Sequence, residues 1–138
     1  MSRVVIYTDL DGTLLDHHTY SAEAASATLS KLRELGIPVI PCTSTTVAET
    51  RPIAAQLRLD GPMIVENGAA VWIPKTWNLS CTESSVSEGE MWCHGFGIPR
   101  SVIRRQLAIL SVEWGNRYQS LCDLSDKQVM SITGLDAD

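Results

Sequence analysis

The chain opens on an apolar, β-branched run, Arg3-Val-Val-Ile-Tyr-Thr8, that breaks abruptly into Asp9-Leu-Asp-Gly12. A short run without polar alternation predicts a buried strand, here one that delivers acidic residues to its carboxyl end. A second run, Pro38-Val-Ile-Pro-Cys-Thr43, ends in a cluster of hydroxyls. Between the two, Ser21 can cap a helix to about Leu35, with Leu29, Leu32 and Leu35 on one apolar face and Gly36 as its stop. Thr46-Val-Ala-Glu49 matches a capping box, so a second helix is expected from there to about Leu59, with Pro52 near its first turns. Pro62-Met-Ile-Val-Glu66 then reads as a third strand.

Connections too long for hairpins imply parallel strands and right-handed crossovers, hence an α/β fold with a doubly wound parallel sheet. Ligands in such sheets bind beyond the carboxyl ends of strands, where Asp9, Asp11, Thr43 and Ser44 all fall. Asn67-Gly68 supplies a tight turn into a hairpin arm, Ala69-Ala-Val-Trp-Ile73. After Pro74 the composition shifts to Ser, Thr and Glu, so we expect a core over residues 1–74, a linker or hinge over 75–90, and a partial second domain over 91–138. Within that last part, Pro99 with Val102, Ile103, Leu107 and Leu110 predicts a helix to about Trp114, Arg117 to Cys122 a strand, and Ser125 to Thr133 a short helix.

The composition, 44% hydrophobic and 20% charged over 138 residues, is that of an ordinary globular chain long enough for a core. A net charge of -5 argues against nucleic acid or an anionic membrane as partner, since no basic cluster offsets the repulsion. The densest basic group, Arg100, Arg104 and Arg105, reads as a solvated helix face. Cys42, Cys81, Cys93 and Cys122 have neither CxxC nor zinc-ligand spacing and are expected as reduced thiols. With no signal sequence and no apolar run near the ~20 residues of a membrane span, a cytoplasmic protein is expected.

Asp9-Leu-Asp-Gly-Thr13 carries the clearest chemistry. One carboxylate at a strand mouth can attack phosphorus while sharing a hard cation that offsets charge repulsion, and the second, two residues on, can serve the leaving group. Gly12 permits close backbone approach, and Thr13 can fix the turn. A plain Asp-Gly turn is the alternative, disfavoured by the strand before it. His17 and His18 read as solvated loop residues, Cys42 as a buried structural thiol, and Trp72, Trp77, Trp92 and Trp114 as packing residues. A receiver domain would need an Asp at the end of the third strand, where Glu66-Asn67 stands.

The pentapeptide resembles motif I of the haloacid-dehalogenase-like phosphatases, Asp-x-Asp-Gly-Thr after a hydrophobic strand. The resemblance implies a Rossmann-type core and Asp9 as the nucleophile that forms an aspartyl-phosphate, with Asp11 as general acid/base. It also implies Mg2+ held by the Asp9 carboxylate and the Asp11 carbonyl, and phosphate bound by Leu10, Gly12, Thr43 and Ser44, with Thr43 on the motif II position. Three passages, Pro41-Cys-Thr-Ser-Thr-Thr46, Ile64-Val-Glu-Asn-Gly-Ala-Ala-Val71 and Cys122-Asp-Leu-Ser-Asp126 with Thr133-Gly-Leu135, are similar to the mannosyl-3-phosphoglycerate phosphatase branch. That similarity implies an α+β cap after the third strand and a sugar phosphoglycerate as substrate. The chain departs from the branch at Thr45, where a lysine is usual. Neither the family's motif III lysine nor its motif IV acidic cluster is found after residue 70, where Lys75 and Lys127 are the only lysines. We therefore expect the C-terminal part of the core to be missing, the 138 residues alone to be inactive or confined to binding a phosphate or a partner, and an exposed first strand to favour a homodimer.

Overall fold

A computed structural model describes residues 4–79, 84–115, 117 and 119–134. They form two compact units, divided after Gly97.

In the first unit, β1 (Ile6–Thr8) pairs in parallel with β2 (Val39–Pro41), joined by α1 (Glu23–Glu34). The helix α2 (Val47–Gln56) leads to β3 (Met63–Val65), which a single parallel bridge, Cys42 to Ile64, aligns with the end of β2. β1, β2 and β3 thus run the same way, as the two crossover helices require. From β3 the pairing turns antiparallel: β4 (Ala70–Pro74), β5 (Val86–Glu88) and β6 (Met91–Gly95) extend it in the order β3-β4-β6-β5. The Asn67-Gly68 turn does connect a hairpin, with Val65 opposite Ala70. The stretch expected as a linker holds a 3-10 turn, Lys75–Trp77, and β5 among its described residues, and β6 pairs along the whole of β4.

The hydrophobic cluster sits where α2 covers β3 and β4: Ala54, Met63, Val65 and Trp72 are buried, with Val47, Leu59 and Met91 packed against them. Trp72 is therefore a core residue, and the Arg51 guanidinium lies over its ring at 4.7 Å. The start of α2 is the predicted capping box. Glu49 N–H donates to Thr46 Oγ1 at 3.4 Å, while Glu49 Oε2 accepts from Thr46 N–H at 2.9 Å and from the Thr46 hydroxyl at 2.7 Å. On α1 only Leu29 is buried; Leu35, expected on the same face, is exposed. Trp77 crosses tightly over Gly61 and its indole N–H donates to Asp60 O at 3.1 Å; a Cβ on Gly61 would meet that ring at 2.9 Å.

The second unit contains α3 (Arg100–Trp114) and α4 (Asp126–Thr133), the latter opened by a capping box from Ser125 and Gln128. The strand expected over 117–122 is not formed by the described residues there. Ser120 Oγ accepts from Cys122 N–H at 3.2 Å and starts a 3-10 turn, Leu121–Asp123. Arg100 and Arg104, on α3, bond to Cys122 and Asp123, so these two residues of the basic group are exposed but partnered. No helix among the described residues is long and apolar enough to cross a membrane.

Candidate active site

The end of β1 releases the chain into a loop organised by Leu10. Its side chain is 1% exposed, and its carbonyl accepts from Thr13, Leu14 and Leu15 N–H at 3.3, 3.1 and 2.8 Å. This winds residues 10–15 into a turn between two buried anchors, Leu10 and Leu15. Gly12 has φ +68°, and a Cβ there would come no nearer than 3.9 Å to another residue, so torsion and not space calls for glycine. The turn leaves Asp9 and Asp11 exposed on one rim. Asp9 Oδ1 accepts from Leu10 N–H at 2.7 Å, which fixes the rotation of that carboxylate.

The opposing rim comes from the end of β2. Cys42 N–H donates to Thr8 O at 2.7 Å and Thr43 N–H to Ile64 O at 3.0 Å, so this segment is tied between the ends of β1 and β3. The turn after β3 is tied back to it, Glu66 N–H to Thr45 O at 3.0 Å and Asn67 N–H to Thr43 O at 3.1 Å. Glu66, Asn67 and Gly68 all have positive φ, 53°, 56° and 85°, an unusual run for two non-glycine residues. These three strand ends enclose an open cleft of about 570 Å³. Asp9 and Asp11 line it together with Thr43 and Ser44, as the sequence predicts. Leu10 and Gly12 shape the loop but do not line the cleft, and the Leu10 N–H already serves Asp9.

Sequence reasoning missed Asn67 and Gly68 as lining residues, reading them only as a turn. The available signal was their place directly after β3, at the same sheet edge as Asp9. His17 and His18 lie edge to face, 5.2 Å apart, outside the cleft lining, on a turn held by Asp16, which accepts from His18 and Thr19 N–H at 3.0 and 2.8 Å. Burial, and secondarily the Asp9 charge, push the Cys42 thiol above its ordinary range, so it stays protonated beside the carboxylates. Cys42, Cys93 and Cys122 are free thiols; Cys81 lies outside the described residues.

The oxygen donors at the rim suit a hard cation such as Mg2+. Among the described residues no group of three or more His, Cys, Asp or Glu is gathered, so Asp9 and Asp11 would supply the carboxylates and water much of the remaining shell. Among the described lining residues there is no Lys or Arg. Lys75 is engaged elsewhere, its ammonium donating to Gly89 O at 2.6 Å and lying 5.3 Å from the Trp92 ring centre.

Residues 6–88 match the family of haloacid dehalogenase-like hydrolases, a span that holds the whole cleft. The chain belongs to this family. Individual relatives extend the match: a glucosyl-3-phosphoglycerate/mannosyl-3-phosphoglycerate phosphatase of Methanococcoides burtonii is 41% identical over 133 residues, 96% of this chain and 48% of that protein. One of the same name from Persephonella marina is 44% identical over 85 residues, 59% of this chain and 32% of that protein. The chain thus spans half or less of the relatives' lengths. Among solved structures, a phosphatase of the haloalkanoate superfamily from Bacteroides thetaiotaomicron superposes with a TM-score of 0.58 at 21% identity, over 95% of this chain and 46% of that one. A Geobacillus kaustophilus protein does so with 0.56 at 22%, over 83% and 38%. Both likenesses bear on the fold, which is the mixed α/β arrangement of this family.

Proposed function

We propose that this chain carries the nucleophile half of a magnesium-dependent phosphomonoesterase. The supporting observation is the cleft in which Asp9 and Asp11 face Thr43 and Ser44 across three strand ends. In this reading an Asp9 oxygen attacks phosphorus, the bond from phosphorus to the substrate oxygen breaks, and Asp11 gives that oxygen its proton. Water then attacks the aspartyl-phosphate, Asp11 takes a proton from it, and phosphate leaves with Asp9 regenerated. The Leu10 N–H on Asp9 Oδ1 leaves the second carboxylate oxygen as the attacking atom. Asp9, with the Asp11 carbonyl or carboxylate, would hold Mg2+, whose bound charge offsets repulsion between carboxylate and phosphate.

The substrate we propose is mannosyl-3-phosphoglycerate, with the glucosyl compound as its nearest rival. The names of the two phosphoglycerate phosphatase relatives support this class. We further assign residues 1–74 to the phosphatase core of a doubly wound sheet, 75–90 to a connecting stretch and 91–138 to part of a cap, in a cytoplasmic protein. The lack of a Lys or Arg among the described lining residues favours a second reading, in which these residues alone bind phosphate or a partner without turnover. Pairing of two copies along β1, whose middle residue Tyr7 is exposed, is part of the proposal; a monomer in light scattering at high concentration would remove it.

The test measures phosphate release from mannosyl-3-phosphoglycerate with magnesium, by this chain and by the full product of the reading frame that encodes it. Turnover abolished by Asp9→Asn supports the hydrolase. Silence in both proteins, with phosphate still bound, supports the binding reading.

A further inference from the structure

Thr43 is 4% exposed and Thr50 fully buried, and between them runs a line of hydroxyls. Thr43 Oγ1 lies 3.1 Å from Thr45 Oγ1, and Thr45 Oγ1 3.0 Å from Thr50 Oγ1. Thr50 Oγ1 in turn donates to the Thr46 carbonyl at 2.8 Å. A carbonyl only accepts and each hydroxyl has one proton, so the direction of the whole line follows. Thr50 gives its proton to Thr46, hence accepts from Thr45; Thr45 hence accepts from Thr43. Thr43 Oγ1 also accepts from Thr45 N–H at 3.2 Å. At rest, then, the Thr43 proton points into this line and not into the cleft that Thr43 borders.

We infer that Thr45 and Thr50 are positioning residues, a two-state hydroxyl relay that turns the Thr43 proton toward an entering phosphoryl oxygen. The inference rests on the phosphoryl reading of the cleft. In the turned state Thr43 donates to the anion, and Thr45 moves its proton from Thr50 to Thr43, by rotation of two O–H bonds. At rest their hydroxyls take part in four hydrogen bonds: Thr43 to Thr45, Thr45 to Thr50, Thr50 to Thr46 O, and Thr45 N–H to Thr43. In the turned state four remain, the bond to Thr50 having been exchanged for a charge-assisted one to the anion. The exchange is therefore nearly even within the protein, and Thr43 gains a second donor on its oxygen. Two donors hold that oxygen in place and make its own O–H a stronger donor.

The relay makes Thr45 and Thr50 act in opposite directions. In Thr45→Val the count of bonds again stays even, because Thr43 exchanges water for the anion, but the second donor is lost. Phosphate should bind about fivefold more weakly, the worth of one neutral hydrogen bond, and Thr45→Ser should restore it. In Thr50→Val the competing acceptor is gone, Thr45 already points at Thr43, and phosphate should bind up to about fivefold more tightly. A purely structural role for these residues would weaken binding in both.

The measurement is the dissociation constant of inorganic phosphate in the presence of magnesium, by calorimetry on the full product of the reading frame, with amide spectra to verify folding. Opposite shifts with rescue by serine uphold the relay. Shifts of one sign, or none, while the unaltered protein binds phosphate, overturn the relay and leave the phosphoryl reading standing. No phosphate binding by the unaltered protein removes both. Should Thr50→Val not fold, equal affinity in Thr45→Val and Thr45→Ser overturns the relay.

Discussion

Leu10→Ala removes the side chain from which both acidic residues of the cleft hang. Leu10 is 1% exposed, so the change takes three carbons out of a site that water does not reach. At about 0.8 kcal/mol per buried methylene the transfer loss is about 2.4 kcal/mol. The hole left behind adds to it, as far as the loop fails to collapse, and the expected total is about 3 kcal/mol. Collapse is restricted here because the Leu10 carbonyl accepts three N–H groups and its own N–H is held by Asp9. For a domain whose whole stability is on the order of 5–15 kcal/mol, this is a large share. The assay is urea unfolding followed by tryptophan fluorescence, in which Trp72 reports from the core of the same unit. Leu10→Met, which keeps the volume, should lose less than about 1.5 kcal/mol. A loss below about 1 kcal/mol for Leu10→Ala would refute the claim that this side chain anchors the loop.

Gly12→Ala should cost about 1–2 kcal/mol of unfolding free energy, because φ is +68° there while the space is open, and larger residues should cost about the same. Thr46→Ala should lower stability by about 1 kcal/mol through the capping box at the start of α2. The same box sets a pH dependence. The Thr46 hydroxyl and N–H hold Glu49 below the ordinary glutamate range, so its contribution is full above about pH 4.3 and is lost as pH falls through its lowered value. Acid titration should show that loss in the unaltered protein and not in Glu49→Gln. Among the described thiols, Cys122, lowered by Ser120 and Arg100, should alkylate before Cys42 and Cys93, which burial raises. Peptide mapping after brief iodoacetamide treatment near pH 8 reads the order, and Cys42 reacting first would contradict it.

What could be read from the residues alone was local. The β-branched run before Asp9, the Thr46–Glu49 capping box, the Asn67-Gly68 turn and the Pro99 start of α3 each depend on neighbours a few residues apart, and each element forms where expected, although the first run, expected as a buried strand, leaves Val4, Val5 and Tyr7 exposed. Asp9, Asp11, Thr43 and Ser44 could be grouped because parallel strands bring their carboxyl ends to one edge, whatever their order. The strands β5 and β6 were not legible. All three residues of β5 are exposed, and a polar edge strand has no periodicity to mark it until β6 supplies its hydrogen bonds. Among the described residues of 117–122, Ser120 Oγ accepts from the Cys122 backbone N–H, and a turn stands where a strand was expected. The placing of Asn67 at the cleft belongs to tertiary structure alone, whereas the hydroxyl line from Thr43 to Thr50 is local in sequence and only its position at the cleft is tertiary. Both placements arise from hydrogen bonds between the end of β2 and the strand and turn of β3, segments some twenty residues apart that only folding brings together.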